Sequence, residues 1–243
     1  IDEADVDLVV FSYSDVSHEH VMHQASRALA AGADFRLVGP DRMMLQAAVP
    51  VVAVDAVRTG CGKSQTARKV ADLLLDRGKD VVVVREPMPY GDLVAQQVQR
   101  FGTLDDLDES GVTIEEREEY EGHIERDHVV YAGVDYEAIL DRAQREAEVI
   151  VWDGGNNELP FYAPDLHIVV ADPHRPGSER RYHPGEANLR LADYVIINKE
   201  NTADETGIRE VEENVHRTNP EAEVVHADST ITADGDAIAG KRV

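Results

Sequence analysis

Residues Val51 to Thr66 read Val-Val-Ala-Val-Asp-Ala-Val-Arg-Thr-Gly-Cys-Gly-Lys-Ser-Gln-Thr, and the fold is decided by this stretch. An apolar run of strand length, Val51 to Val54, breaks at Gly60 and Gly62. A helical pattern follows from Lys63 to Leu75, with Ala67, Val70, Ala71 and Leu74 at helical spacing. Strand, glycine turn, Lys-Ser and helix form a phosphate-binding loop, or P-loop. Glycines let backbone N–H groups close around phosphate oxygens, and a helix N-terminus adds partial positive charge at the same point. The pattern assigns Gly60, Cys61, Gly62, Lys63, Ser64 and Gln65 to nucleotide binding. Lys63 reaches the β- and γ-phosphates as a catalytic cation, and Ser64 offers its hydroxyl to Mg²⁺.

The common pattern carries Gly six residues before the Lys, and here that position is Val57, followed by Arg58 and Thr59. Some P-loop groups place a second basic residue there, which reaches the phosphates of a partner's nucleotide. Arg58 is a catalytic candidate on that basis, and a homodimer is the arrangement such a role requires. Holding the substrate is its other reading.

The chain has 243 residues, enough for one large α/β domain or two small ones. Its 48 acidic residues against 24 basic ones give a formal charge of −24, which argues against nucleic-acid and anionic-membrane partners. The acids are spread along the chain and lysine is rare, a pattern of adaptation to high salt, where self-repulsion is screened. A single cysteine, Cys61, excludes an internal disulfide, and as a small residue in the loop it fits the turn. No apolar run spans a membrane and no signal peptide is visible, so a cytoplasmic location is expected. The first residue is not Met and the last four, Gly-Lys-Arg-Val, look like the start of a strand, so a fragment of a longer protein is expected.

Strands are expected at Val6 to Phe11 and Phe35 to Val38, around a helix capped by Ser17 with Val21, Ala25, Ala28 and Leu29 inward. Residues 1–49 read as the C-terminal remnant of an N-terminal α/β domain, and residues 50–243 as a P-loop domain. His18, His20 and His23 lack a Cys or a convincing carboxylate partner for a metal site. Val81 to Val84 is a buried parallel strand, and ligands bind at the C-terminal ends of such strands. There, Arg85 is a candidate for a substrate phosphate or carboxylate, and Glu86 or Asp92 for Mg²⁺ or for base chemistry. Leu93 to Phe101 reads as a helix. Thr113 and Glu116 form a capping box, and the acids from Glu115 to Glu121 read as a solvated face.

Val149 to Asp153 is an apolar strand closing on an acid, the Walker B form, whose carboxylate holds Mg²⁺ directly or through water. Asn156 and Asn157 follow two glycines and are candidates to orient substrate oxygens. Leu166 to Ala171 is another strand, and His174 and Arg175 after it suit a polyanionic phosphorylated substrate. Tyr194 to Ile197 ends in Asn198-Lys199-Glu200-Asn201. Asn-Lys-x-Asp at such a position reads guanine, but the fourth residue is Asn201, so Asn198 and Lys199 suit a purine without fixing GTP over ATP.

Six stretches carry a resemblance to the cyclic 2,3-diphosphoglycerate synthetase family of archaea: Tyr13 to Ser17, Ala56 to Gln65, Pro87 to Asp92, Tyr131 to Tyr136, Asp153 to Asn157 and Asp172 to Gly177. The resemblance implies a doubly wound, mostly parallel α/β fold with a P-loop and an ATP- and Mg²⁺-dependent enzyme longer than this chain at both ends. It also implies closure of a small polyanionic phosphorylated substrate into a cyclic phosphoanhydride. A GTPase switch or metallochaperone of the same P-loop group is the alternative, and a carboxylate-activating ligase is a third reading.

Overall fold

The computed structural model describes residues 6–86, 93–94, 96–155 and 157–230. Its centre is an eight-stranded sheet in the order β12-β11-β9-β4-β8-β5-β7-β6. The strands are β4 (Val51–Ala56), β5 (Val81–Arg85), β6 (Gln99–Phe101), β7 (Val129–Ala132), β8 (Val149–Gly154), β9 (Leu166–Ala171), β11 (Tyr194–Ile197) and β12 (Glu223–His226). All neighbours pair in parallel except β6 on β7. Parallel strands need helical crossovers, and these cover both faces. Side chains of β4 therefore alternate between two cores. Val52 and Val54 pack with Ala67 and Ala71 of α2 (Lys63–Leu75), Leu189 of α6 (Gly185–Leu191) and Val211 of α7 (Glu205–Thr218). Val51 and Ala53 face Ile139 and Leu140 of α5 (Tyr136–Glu146), together with Trp152. The fold class expected from the sequence is the one observed.

A third cluster joins β6 and β7 to α3 (Leu104–Ser110) and α4 (Ile114–Ile124), where the Phe101 and Tyr120 rings stack 5.2 Å apart. The helix expected over Leu93 to Phe101 is replaced here by the β6 edge strand. Its approach is pinned by the carbonyls of Gln96 and Gln97, which accept from the N–H groups of Val134 and Asp135 at 3.1 Å each. Gly133, at φ +152°, allows this approach: a Cβ there would lie 2.3 Å from the Gln97 carbonyl oxygen. The partner strand, not local periodicity, sets the conformation.

Ahead of the sheet, β1 (Leu8–Val10), α1 (His18–Ala30) and β3 (Asp34–Arg36) form a small parallel unit with its own two-stranded sheet. Ser17 caps α1 by accepting from the His20 N–H at 3.1 Å. Val21, Ala25 and Ala28 are buried as expected, whereas Leu29 is 62% exposed because it falls beyond the narrow stripe that meets β3. The short β2 (Val16–Ser17) pairs antiparallel with β10 (Tyr182–His183), so the N-terminal unit is stitched to the segment before α6. Among the described residues, no helix is long and apolar enough to cross a membrane.

Candidate functional site

The loop after β4 turns through two left-handed glycines, Gly60 at φ +84° and Gly62 at φ +109°, before α2 begins at Lys63. Neither position suits an L side chain. At Gly62 the space is closed as well, since a Cβ would lie 2.3 Å from Asn198 Nδ2. The loop borders a cleft of about 520 Å³ lined by Thr59, Lys63, Ser64, Arg68, Arg85 and Glu119, with Gln65, Gly155 and Asn157 also on its wall. Left-handed glycines, a helix N-terminus and four cationic side chains, Lys63, Arg68, Arg85 and Lys199, on one cleft fit a run of phosphate groups. Cys61 is buried, and burial raises its thiol to about 12, which leaves it a small packing residue.

Asp153 closes β8 beside Arg85 at the end of β5, because these two strands are neighbours in the sheet. Its carboxylate is fully buried. Oδ1 accepts from Lys63 Nζ at 2.8 Å, while Oδ2 meets the Arg85 guanidinium and lies 3.2 Å from His123 Nε2. Burial pushes the carboxyl up, but Arg85 and Lys63 outweigh it and hold Asp153 well below the usual carboxylate range. Arg85 also pairs with Glu119 and lies 3.4 Å from Ser64 Oγ. Two expected site residues meet in this cluster. Arg85 is 1% exposed and shared between two carboxylates, Asp153 and Glu119. Asp153 is near Ser64 as expected, but both its oxygens are engaged. The Ser64 hydroxyl would be open to Mg²⁺, while Arg85 stands between it and Asp153. No group of three His, Cys, Asp or Glu suited to a metal occurs among the described residues, the α1 histidines included.

A second cluster braces the loop from the other side. Asp172, after β9, accepts from Lys199 Nζ at 2.8 Å and Arg175 at 3.1 Å, and lies 3.0 Å from His174 Nδ1. Burial raises its carboxyl, but Lys199 and His174 reverse this and lower it. Arg175 then donates to the Thr59 carbonyl at 2.9 Å, Lys199 to the Gly60 carbonyl at 2.5 Å, and Asn198 Nδ2 to the Cys61 carbonyl at 2.9 Å. Expected as anion and purine contacts, His174, Arg175, Asn198 and Lys199 are here committed to Asp172 and to loop carbonyls. Arg58 is also placed away from the cleft, with its guanidinium 4.1 Å from the centre of the Tyr182 ring. Asn157, at φ +58°, donates to Thr59 Oγ1 at 3.1 Å, and its Oδ1 is buried with no partner among the described residues. Asn156 and Asp92 lie outside the described residues.

Because the Asn198 amide donates to the loop, Asn198→Ala is expected to weaken ATP and GTP about equally. Loss of one hydrogen bond of about 1 kcal/mol corresponds to about fivefold in affinity. Titration of both nucleotides checks this, and selective loss of one would restore the base-reading role.

Sequence reasoning missed Arg68, Glu119, His123 and His128. Arg68 sits one helical turn beyond Ser64 on α2, so its spacing was a usable signal. Among the described residues it has no ion pair with its guanidinium. The two histidines continue the Asp153 cluster: His123 Nδ1 lies 3.0 Å from His128 Nδ1, whose Nε2 lies 3.1 Å from Asp72. No motif announces that chain.

No family model matches the sequence. The chain is 63% identical over 244 aligned positions to a protein named arginine synthetase ArcE from Thermococcus kodakarensis, an archaeon; the alignment covers 100% of this chain and 54% of that protein. The chain thus spans about half the length of the curated relative it matches. Among solved structures, it resembles LpxK from Aquifex aeolicus in complex with ATP, at a TM-score of 0.51 and 16% identity over 74% of this chain and 56% of that one. A likeness at that identity shows the fold alone. The chain is an α/β protein of the P-loop NTPase fold, similar along its whole length to part of an archaeal synthetase.

Proposed function

We propose that this chain is the nucleotide-handling part of an ATP- and Mg²⁺-dependent synthetase that forms the guanidinium group of arginine. The observation that carries this reading is identity of 63% to a named arginine synthetase over the whole chain, P-loop included. The chemistry is consistent with a P-loop. A ureido oxygen is a poor leaving group, and the γ-phosphoryl of ATP converts it into a good one. Ammonia then attacks the carbon, and phosphate departs with the C–O electron pair. Neutral ammonia, the ureido compound and ATP give the guanidinium, ADP and hydrogen phosphate in balance.

The protein's task in such a transfer is positioning and charge neutralisation. Backbone N–H groups from Gly60 to Ser64 hold the β- and γ-phosphates, with Lys63 and Arg68 supplying charge along the cleft. Ser64 would hold Mg²⁺, which would supply charge to neutralise the phosphate oxygens. Asp153 fixes Lys63 and Arg85, so the cations are positioned before the nucleotide arrives.

Ring closure of 2,3-diphosphoglycerate is the second reading, favoured by the six stretches that resemble that synthetase family. Against it, the cations assigned to the polyanion are paired: Arg85 with Asp153 and Glu119, and Arg175 with Asp172. The GTPase alternative loses support in the same way, because Asn198 and Lys199 bond to the loop. Phosphorus NMR of the full-length protein with ATP and Mg²⁺, with carbon NMR of the amino acids, tests the proposal. With citrulline and ammonia, ADP, phosphate and arginine are expected. Formation of the cyclic anhydride from 2,3-diphosphoglycerate, with no arginine in the parallel tube, would replace this reading with the second.

A further inference from the structure

Behind the phosphate cleft lies a second cavity of about 310 Å³, between the loop after β1 and the ends of β5 and β8. Phe11, Tyr13, Phe161 and His183 form its walls, and Glu86 and Glu158 supply its charge. The two carboxylates converge on Gly155. Its N–H donates to Glu158 Oε1, and a Cβ at Gly155 would lie 2.1 Å from Glu86 Oε2. Gly155 also borders the phosphate cleft, so one residue separates the two spaces.

The second oxygen of Glu158, Oε2, is buried and has no hydrogen-bond partner among the described residues. Among the described residues, no ion pair joins a cation to Glu86 or Glu158. A buried carboxylate oxygen without a donor is costly, and native proteins rarely leave one unless a ligand or water supplies it. Burial, and then the neighbouring Glu86, push the Glu158 carboxyl up to about 7. Burial raises Glu86 as well. His183 is lowered, first by burial and then by His18, so it adds no lasting positive charge. The cavity therefore sets two carboxyl groups between aromatic walls, where burial disfavours their charge until a donor or cation arrives, and Gly155 joins it to the phosphate cleft.

We infer that this cavity is the acceptor site, and that it takes the planar, N–H-rich end of an amino acid, ureido in the substrate and guanidinium in the product, between Glu86 and Glu158. The inference rests on the arginine-forming reading above. Planar N–H groups match carboxylates in paired hydrogen bonds, and a guanidinium gains further attraction over aromatic faces. Glu158 Oε2 receives the donor it lacks. A polyanion would face two carboxylates at close range, so the same cavity discriminates against phosphorylated acceptors. The thin wall at Gly155 leaves the reacting oxygen a short path to the phosphate cleft, as in-line transfer requires.

Calorimetric titration of the full-length protein with L-arginine and L-citrulline tests this, using Glu158→Gln and Glu86→Gln. Both replacements keep the side chain's shape, and an unchanged ATP affinity reports that each variant is folded. Each is expected to weaken arginine binding about 10- to 100-fold, as loss of a charge-assisted hydrogen bond does. The neutral citrulline should lose less. An arginine affinity within twofold of wild type in both variants overturns the site, as does a wild-type protein that binds neither amino acid. The two readings fail separately. Glutamate-dependent arginine binding without arginine formation keeps the site and removes the reaction. Arginine formation with an unchanged KM for citrulline in both variants does the reverse.

Discussion

Lys63→Ala is expected to lower ATP-dependent turnover by about 10³-fold or more while the protein stays folded. Lys63 is 9% exposed at the N-terminus of α2 and lines the phosphate cleft. Charge developing on the transferred phosphoryl group needs a pre-placed cation, and removing one such donor from a preorganised site costs about 10²- to 10³-fold by itself. Here the cation also anchors the end of the loop through Asp153, so misplacement adds to lost charge. The fold tolerates the change because Asp153 keeps Arg85 and His123 as partners. Lys63→Arg should not rescue, since a planar fork cannot take the place of a compact ammonium in so closed a loop. Steady-state rates with ADP detection, alongside a melting curve, check both halves. Turnover above a tenth of wild type would remove the phosphate assignment of the loop.

Asp153→Asn is expected to destabilise the protein by about 3–5 kcal/mol, the usual cost of removing one partner from a buried charge cluster. The amide matches the carboxylate in shape, yet it cannot neutralise Lys63 and Arg85, and one of its two positions becomes a donor facing donors. For a chain of this size that is roughly a 10 °C fall in melting temperature. The pH dependence has a definite sign. A carboxyl held well below its usual range contributes stability that is complete above the unfolded value of about 3.9 and is lost as pH falls through the folded value. Wild type should therefore lose stability steeply below about pH 4, and the variant less steeply over the same window. Glu158 acts in the opposite direction. Its folded-state pKa is raised to about 7, so stability declines as pH climbs from the unfolded carboxyl value toward neutrality. Thermal melts across acid and neutral pH resolve both limbs. A variant melting within 2 °C of wild type at neutral pH would show that Asp153 holds no buried cations; the threshold is about 1 kcal/mol.

Much of the nucleotide site was legible in the linear chain because its elements are local. A valine run, two glycines and Lys-Ser specify a strand, a left-handed turn and a helix start within Val51 to Ser64, and the observed β4, loop and α2 follow that reading. Strand-closing residues were legible for the same reason: Asp153, Arg85, Asp172 and Asn198 all fall at the C-terminal edge of the sheet, as their apolar runs indicate. The misreadings are also physical. Glu119 sits among five glutamates that read as a solvated face, and only the packing of α4 against the sheet brings it to Arg85. Leu93 to Phe101 has a periodicity compatible with a helix, and the edge of β7 overrides it.

The sequence alone determined the strand, the left-handed loop and the helix start, since backbone conformation, glycine placement and a helix terminus are properties of neighbouring residues. Tertiary structure alone decided which charges are free to act. Arg85, Arg175, His174 and Lys199 look alike in the chain as available cations, yet each is matched to a carboxylate, three of them to Asp172. Among the described residues, no ion pair is formed by Arg68 in the cleft or by Glu86 and Glu158 behind it. Ion pairing depends on burial and on partners brought together from distant segments, and no local pattern records it.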